Sequence, residues 1–259
     1  MNCRICLKPA RGSYIRHSST YNLDVQMFYC PACDAFFSGG APVNYEHIKD
    51  FDLIGYYLEY EQAIRSRYQK IFSFIESLTA PGHFFDIGAG MGFSLDVAIQ
   101  RGWTSSGLEP NPELATHAKE RGLDVKNTYL TEAISGEYDF ILIDNVLEHI
   151  LQPSDFLRHA VRLLKPLGVM MIAVPPMDWL RKGFSASSWV REHVAIPQIN
   201  VFYDVDQHVN MFSRKAMGRL LEGVGLRLLD QRFHHSRVYD NALFRGLRLD
   251  DGYYFAVRV

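Results

Sequence analysis

His83-Phe84-Phe85-Asp86-Ile87-Gly88-Ala89-Gly90-Met91-Gly92 is a short apolar run carrying one carboxylate, followed by three glycines at alternate positions. A helical pattern comes next, with Leu95, Ala98 and Ile99 on one face and Gly102 at the stop. Strand, glycine turn and helix in that order begin an α/β unit, and the glycines let the backbone approach a ligand closely. The following unit repeats the logic. Residues 103–108 read as a strand ending at Glu109; Asn111 caps a helix with Pro112 in its first turn, Leu114 and Ala118 inward, and Gly122 at the end. Glu109 lies 21 positions after Gly88 (109 − 88), at the tip of the second strand. A carboxylate there can accept hydrogen bonds from both hydroxyls of a ribose, so the expected ligand contains a nucleoside. The dinucleotide fingerprint would need glycine at position 93, where this chain has Phe93.

Further along, Tyr138-Asp139-Phe140-Ile141 leads to Asp144-Asn145-Val146-Leu147-Glu148-His149-Ile150, and Leu163-Leu164-Lys165-Pro166-Leu167-Gly168 precedes a fifth strand closed by Pro175-Pro176. With Asp86 to Gly92 and Leu108-Glu109-Pro110, this ordered set resembles the class I methyltransferases dependent on S-adenosylmethionine (SAM), in particular the small-molecule branch that includes ubiquinone-type O-methyltransferases. The resemblance spans residues 56–174 well and the remainder loosely.

The resemblance implies a doubly wound α/β domain with a seven-stranded sheet in the order 3-2-1-4-5-7-6, the last strand antiparallel. It implies SAM as cofactor, held by Asp86, Gly88, Ala89, Gly90, Gly92, Glu109, Pro110, Asn127, Tyr129, Asp144 and Asn145. Gly88 and Gly90 would line the methionine portion, Glu109 the ribose, and residues 127–130, after a third strand at 123–126, the adenine. Asp144 and Asn145 would sit beside the transferable methyl. Arg67 could reach the SAM carboxylate from the preceding helix, although an arginine on a helix is more often a solvated charge.

His149 and His208 are the candidate bases, because imidazole titrates near neutrality and could take a proton from a hydroxyl acceptor. The competing readings are that His149 orders the loop before Pro153 and that His208, in Gln207-His208-Val209-Asn210-Met211-Phe212-Ser213, positions a lid. His234-His235 makes a poor metal pair, since adjacent side chains in a strand point to opposite faces. The acidic-Pro-Pro-aromatic signature of amino-group methylases would belong at 144–147, where Asp144-Asn145-Val146-Leu147 stands, which disfavours methylation of a base amine.

All four cysteines lie in the first 33 residues, as Cys3-x-x-Cys6 and Cys30-Pro31-x-Cys33. Two such turns supply the four soft ligands that tetrahedral zinc prefers, and four protein ligands make the expected Zn2+ structural. Two disulfides or a redox dithiol are the competing readings. Residues 23–29 are β-like, which suits a zinc ribbon, and about 40 residues need such a staple to hold a core. The expected organisation is a ribbon at 1–40, a helical cap at 41–80 with apolar helical spacing over 56–78, and a methyltransferase domain at 81–259. An irregular aromatic insert at about 177–212 reads as a lid whose aromatics line an acceptor pocket, or equally as a dimer surface or core. Ser213 is expected to cap a helix through Leu221, followed by strands at 226–233 and 253–259.

Composition narrows the function. The 259 residues are 47 % hydrophobic with a formal net charge of -2, and Lys and Arg form only pairs such as Arg181-Lys182. A nucleic-acid partner is therefore disfavoured. No apolar run reaches about 20 residues and the N-terminus has no apolar core, so a cytoplasmic protein with no membrane span is expected. The expected partner is a small-molecule or carbohydrate methyl acceptor, with O-methylation favoured. The alternatives are a zinc-knuckle RNA methyltransferase and a nucleotide-binding regulatory module without turnover.

Overall fold

A computed structural model describes residues 1–18, 23–39, 52–175, 208–235 and 250–258. The chain opens with a small antiparallel sheet, β1 (Arg11–Ser18), β2 (Leu23–Cys30) and β3 (Ala35–Ser38). Helices α1 (Leu53–Glu59) and α2 (Glu61–Ile75) follow, separated only by Tyr60. The main domain then runs β4 (His83–Ile87), α3 (Phe93–Gln100), β5 (Thr104–Leu108), α4 (Pro112–Glu120), β6 (Val125–Lys126) and β7 (Tyr138–Asp144). After a 3-10 turn at Leu147–His149 come α5 (Pro153–Leu163), β8 (Leu164–Val174), β9 (Asn210–Phe212), α6 (Arg214–Gly223), β10 (Leu226–His235) and β11 (Asp250–Arg258).

Seven strands form one sheet in the order β10-β11-β8-β7-β4-β5-β6. β4 through β8 are parallel, and β11 runs antiparallel to both β8 and β10. This is the expected order, read from its other edge. The central strands show why they lie inside. Phe140, Ile141, Leu142 and Ile143 of β7 have no exposed surface, and neither do Met170 to Ala173 of β8. Alternate side chains divide between two faces, as the pleat requires. Phe84, Phe140, Leu142, Met171 and Phe255 pack with Phe72 and Ile75 of α2 and Trp103. Phe85, Ile141, Ile143, Met170 and Ile172 pack with Leu157 and Ala160 of α5 and Met217 of α6. Buried apolar area of this kind contributes roughly 25 cal/mol per Å2, so the double-sided sheet is the domain's main source of stability.

Helix starts follow local chemistry. Asn111 accepts from the amides of Glu113 and Leu114, and Pro112 sits at the first helical position. Ser213 accepts from the amide of Ala216. The third strand of the sequence reading contracts to Val125–Lys126. The small N-terminal sheet has a fourth strand, β9, which pairs with β3 across Ala35↔Phe212 and Phe37↔Asn210. The amino-terminal ribbon therefore shares a sheet with a segment from the far end of the chain, and Cys3, Cys30 and Cys33 lie in the same core cluster as Leu147 and Met217. Positions 177–207 of the expected lid lie outside the described residues; 210–212, at its end, form β9. No helix among the described residues is long and apolar enough to cross a membrane.

Candidate functional site

The chain moves from β4 outward through β5 to β6, then returns to the other side of β4 for β7. At this reversal the loops beyond the carboxyl ends of neighbouring strands diverge and leave a crevice. Gly88 follows β4, Glu109 follows β5, Asn127 follows β6, and Asp144 ends β7. The sequence-predicted residues thus meet along one edge of the sheet.

The glycine loop folds tightly. The amides of Gly88 and Ala89 both donate to the Leu108 carbonyl, at 2.8 and 2.9 Å. Gly88 has φ +95°, and a Cβ there would lie 2.4 Å from Cγ2 of Val146. A Cβ on Gly90, φ +53°, would come within 2.8 Å of the Tyr57 hydroxyl. Both positions combine a backbone conformation that L side chains rarely adopt with a close neighbour. Glu109 is 6 % exposed and organises the same loop. Its Oε2 accepts from the Gly90 amide at 2.8 Å and its Oε1 from the Asn111 amide at 2.7 Å. Burial raises its pKa, opposed by those two amides. Each oxygen retains a second lone pair that a ribose hydroxyl could use. Asn127 donates to the carbonyls of Glu109 and Pro110, both at 2.9 Å, while Tyr129 is 64 % exposed.

Asp86 is buried beneath the loop, with Oδ2 accepting from Ser94 Oγ and Oδ1 without a hydrogen-bond partner among the described residues. Burial pushes its carboxyl up to about 8; the Ser94 hydroxyl opposes this, and Asp144 and Glu109 add to it. Asp144 is engaged from α2. Its Oδ2 pairs with Arg67 and accepts from the Tyr68 hydroxyl at 2.8 Å. Arg67, which on the sequence reading could reach the SAM carboxylate, pairs with Asp144 and also donates to the Tyr253 hydroxyl at 3.4 Å. Asn145 takes φ +53°, which asparagine tolerates, and donates to Asp144 Oδ1 at 3.3 Å.

On the far side of Asp144, the 3-10 turn carries Glu148 and His149. The His149 and His208 rings lie 4.8 Å apart, centroid to centroid, and Glu148 Oε1 is 3.8 Å from His149 Nε2. Ligand-type atoms of Glu148, His149 and His208 all fall within 4.8 Å of one another. His234 and His235 lie in β10, and the arrangement of their side chains is outside the described residues.

The four cysteines are free thiols whose sulfurs lie within 4.8 Å of one another. The Cys6 and Cys30 sulfurs are 3.7 Å apart. Tetrahedral zinc with bonds of about 2.3 Å sets its sulfurs about 3.8 Å apart, so the separation suits that ion. Two equivalent turns build the group. Leu7 donates to the Cys3 carbonyl and Asp34 to the Cys30 carbonyl, with Leu7 and Asp34 both at positive φ. Burial raises the Cys3 and Cys33 thiols. At Cys6 burial also pushes upward, but the Lys8 amide and the neighbouring thiols outweigh it and bring the group down to about 7.

Tyr57, Tyr68, Ser94, Val146 and Tyr253 were not singled out in the sequence as site residues. Tyr57 and Tyr68 stand in a tyrosine-rich segment that reads as packing, and no spacing marks which of its rings faces the crevice.

Comparison with known proteins agrees with this geometry. A family model described as a methyltransferase domain matches residues 57–231. The ubiquinone biosynthesis O-methyltransferase of Caulobacter vibrioides is 34 % identical over 98 residues, covering 34 % of this chain and 38 % of that protein. The protein of the same name from Rhodopseudomonas palustris (strain TIE-1) is 28 % identical over 116 residues, covering 42 % and 45 %. The chain thus spans less than half the length of these curated relatives. Among solved structures, plantazolicin methyltransferase in complex with SAH aligns with a TM-score of 0.59 at 15 % identity, over 82 % of this chain and 92 % of that one. Magnesium protoporphyrin IX methyltransferase from Synechocystis PCC 6803, with bound SAM, aligns at 0.53 and 14 % identity, over 85 % and 87 %. These two likenesses concern the fold. With a family match across residues 57–231 and a sheet in the expected order, the chain belongs to the methyltransferase domain family, in its class I SAM-dependent branch.

Proposed function

We propose that the protein transfers the methyl group of SAM to a hydroxyl of a small-molecule acceptor, a carbohydrate being one form such an acceptor could take. The observation that carries this reading is the buried Glu109 carboxylate, which faces the glycine loop at the tips of β4 and β5. The similarity to ubiquinone biosynthesis O-methyltransferases, although it covers about a third of the chain, supports oxygen as the acceptor atom.

SAM supplies an electrophilic methyl for in-line displacement, a reaction that depends mostly on orientation and exclusion of water. Gly88, Ala89, Gly90 and Gly92 line the methionine portion, and Asp86 supports them from below. Glu109 holds the ribose, Pro110, Asn127 and Tyr129 border the adenine, and Asp144 and Asn145 flank the reacting centre. Arg67 locks the Asp144 carboxylate in place. His149 or His208 takes the acceptor's proton; the buried Glu148 lies beside His149, its Oε1 3.8 Å from Nε2. Cys3, Cys6, Cys30 and Cys33 would hold a structural Zn2+ that staples the two turns of the ribbon together.

The experiment is calorimetry of the zinc-replete protein with SAM and, separately, with NADH, followed by a labelled-methyl screen of hydroxylated acceptors. Micromolar SAM affinity without NADH binding, and label appearing on oxygen, are expected. Absence of SAM binding refutes the reading; label on carbon or nitrogen refutes its oxygen assignment.

A further inference from the structure

Arg4 lies between the first two cysteines, and its guanidinium leaves the knuckle for the other end of the chain. Nη1 donates to the Val209 carbonyl at 2.8 Å and to Asn210 Oδ1 at 3.0 Å, and Nη2 donates to the Ser38 carbonyl at 2.8 Å. The group stacks over the Phe37 ring, 5.5 Å from its centroid. A guanidinium is charged at neutral pH. Its own carbonyl accepts from Ser154 Oγ at 3.4 Å, at the start of α5.

Arg4 determines the orientation of a buried amide. Asn210 is 3 % exposed. A guanidinium has only donors, so the oxygen of Asn210 must face Arg4 and its nitrogen must face away. That nitrogen donates to the Ile150 carbonyl at 2.6 Å. Ile150 ends the 3-10 turn that carries Glu148 and His149, while Val209, whose carbonyl Arg4 also holds, directly follows His208. One guanidinium therefore sets both backbone segments that bear the two imidazoles, one directly and one through Asn210. None of these bonds reaches the glycine loop or Glu109.

We propose that Arg4 is a positioning residue: it couples the four-cysteine knuckle to the loop at 145–150 and sets the relation of His149 to His208. The inference rests on the reading above that this end of the crevice receives the methyl acceptor. Charge-assisted hydrogen bonds are stronger than neutral ones, and a buried amide left with a wrong partner is costly, so the relay is stiff.

The test uses the zinc-replete full chain and Arg4→Gln, Arg4→Lys and Asn210→Asp variants. The amides of His149 and Ile150 donate to the carbonyls of Val146 and Leu147 and report on the turn. In Arg4→Gln their hydrogen exchange should quicken by roughly tenfold to a hundredfold, the range for loss of a charge-assisted bond. The ring resonances of His149 and His208 should move while those of His117 and His159 hold. Lysine, a point charge that cannot reach three acceptors in a fork, should restore protection only in part. Asn210→Asp keeps an acceptor for Arg4 but sets a carboxylate against the Ile150 carbonyl, so it should loosen the turn with the knuckle contact intact. It also serves if Arg4→Gln does not fold. Unchanged exchange and ring shifts in the variants that fold overturn the proposal. If the wild type binds no SAM, the proposed function fails, while the exchange data still decide the coupling.

Discussion

Replacing Glu109 by alanine tests the cofactor assignment most directly. The carboxylate already accepts the amides of Gly90 and Asn111, at 2.8 and 2.7 Å, leaving one free lone pair per oxygen for the two ribose hydroxyls. Hydrogen bonds to a charged group are worth about 1.5–3 kcal/mol each, and with partial replacement by water the pair should contribute about 3 kcal/mol. At 1.4 kcal/mol per decade, Glu109→Ala should weaken SAM about a hundredfold in calorimetry. Glutamine keeps one acceptor oxygen but turns its NH2 toward a backbone donor, so about a tenfold loss is expected. Disordering of the loop could mimic the alanine result, and a second ligand separates the two causes. A SAM analogue lacking one ribose hydroxyl should bind the wild type about tenfold or more weakly, yet cost Glu109→Ala nothing further, since the partner is gone. Alanine affinity within threefold of wild type, or an undiminished penalty for the deoxy analogue, refutes the ribose assignment.

Three further outcomes follow from the same geometry. Asp86 has its folded-state pKa raised to about 8 from an ordinary 3.8, so between those values the folded protein retains a proton that the unfolded chain releases. Its stability contribution is therefore full at low pH and declines as pH rises toward 8, at up to about 1.4 kcal/mol per pH unit; Asp86→Asn should flatten this decline in urea titrations, and parallel curves would falsify the assignment. Gly88→Ala meets both the Val146 methyl at 2.4 Å and φ +95°, so SAM affinity should fall at least about tenfold, and adding Val146→Ala should relieve the contact but not the backbone strain, restoring part of the loss. Purified protein should carry one zinc, and its removal by chelator should lower the thermal midpoint and expose four titratable thiols; zinc-free protein of unaltered midpoint rejects the structural site.

The sequence determined the features that depend on near neighbours. The run from His83 onward specifies strand, turn and helix because a short apolar run, glycines and a 3.6-residue period succeed one another within twenty positions. Asn111 and Pro112 cap α4 through bonds to residues two and three places on. The two C-x-x-C turns are local as well, and each closes by the same carbonyl-to-amide bond. Glu109 was legible because a strand and a helix of ordinary length carry the chain from one tip to the next.

Tertiary structure alone decided which distant groups meet. β9 is three residues long, too short for any periodicity, and it becomes a strand by pairing with β3 some 170 positions earlier. Arg67 bonds Asp144 rather than solvent because α2 packs across the sheet beside β7. Tyr57 covers Gly90 because α1 lies over the loop, and Arg4 orients Asn210 because the ribbon and the last third of the chain share a sheet. In each case the partner is selected by where the hydrophobic faces of helix and sheet come together. Burial sets that placement without regard to sequence separation, and the polar groups brought along must then satisfy one another.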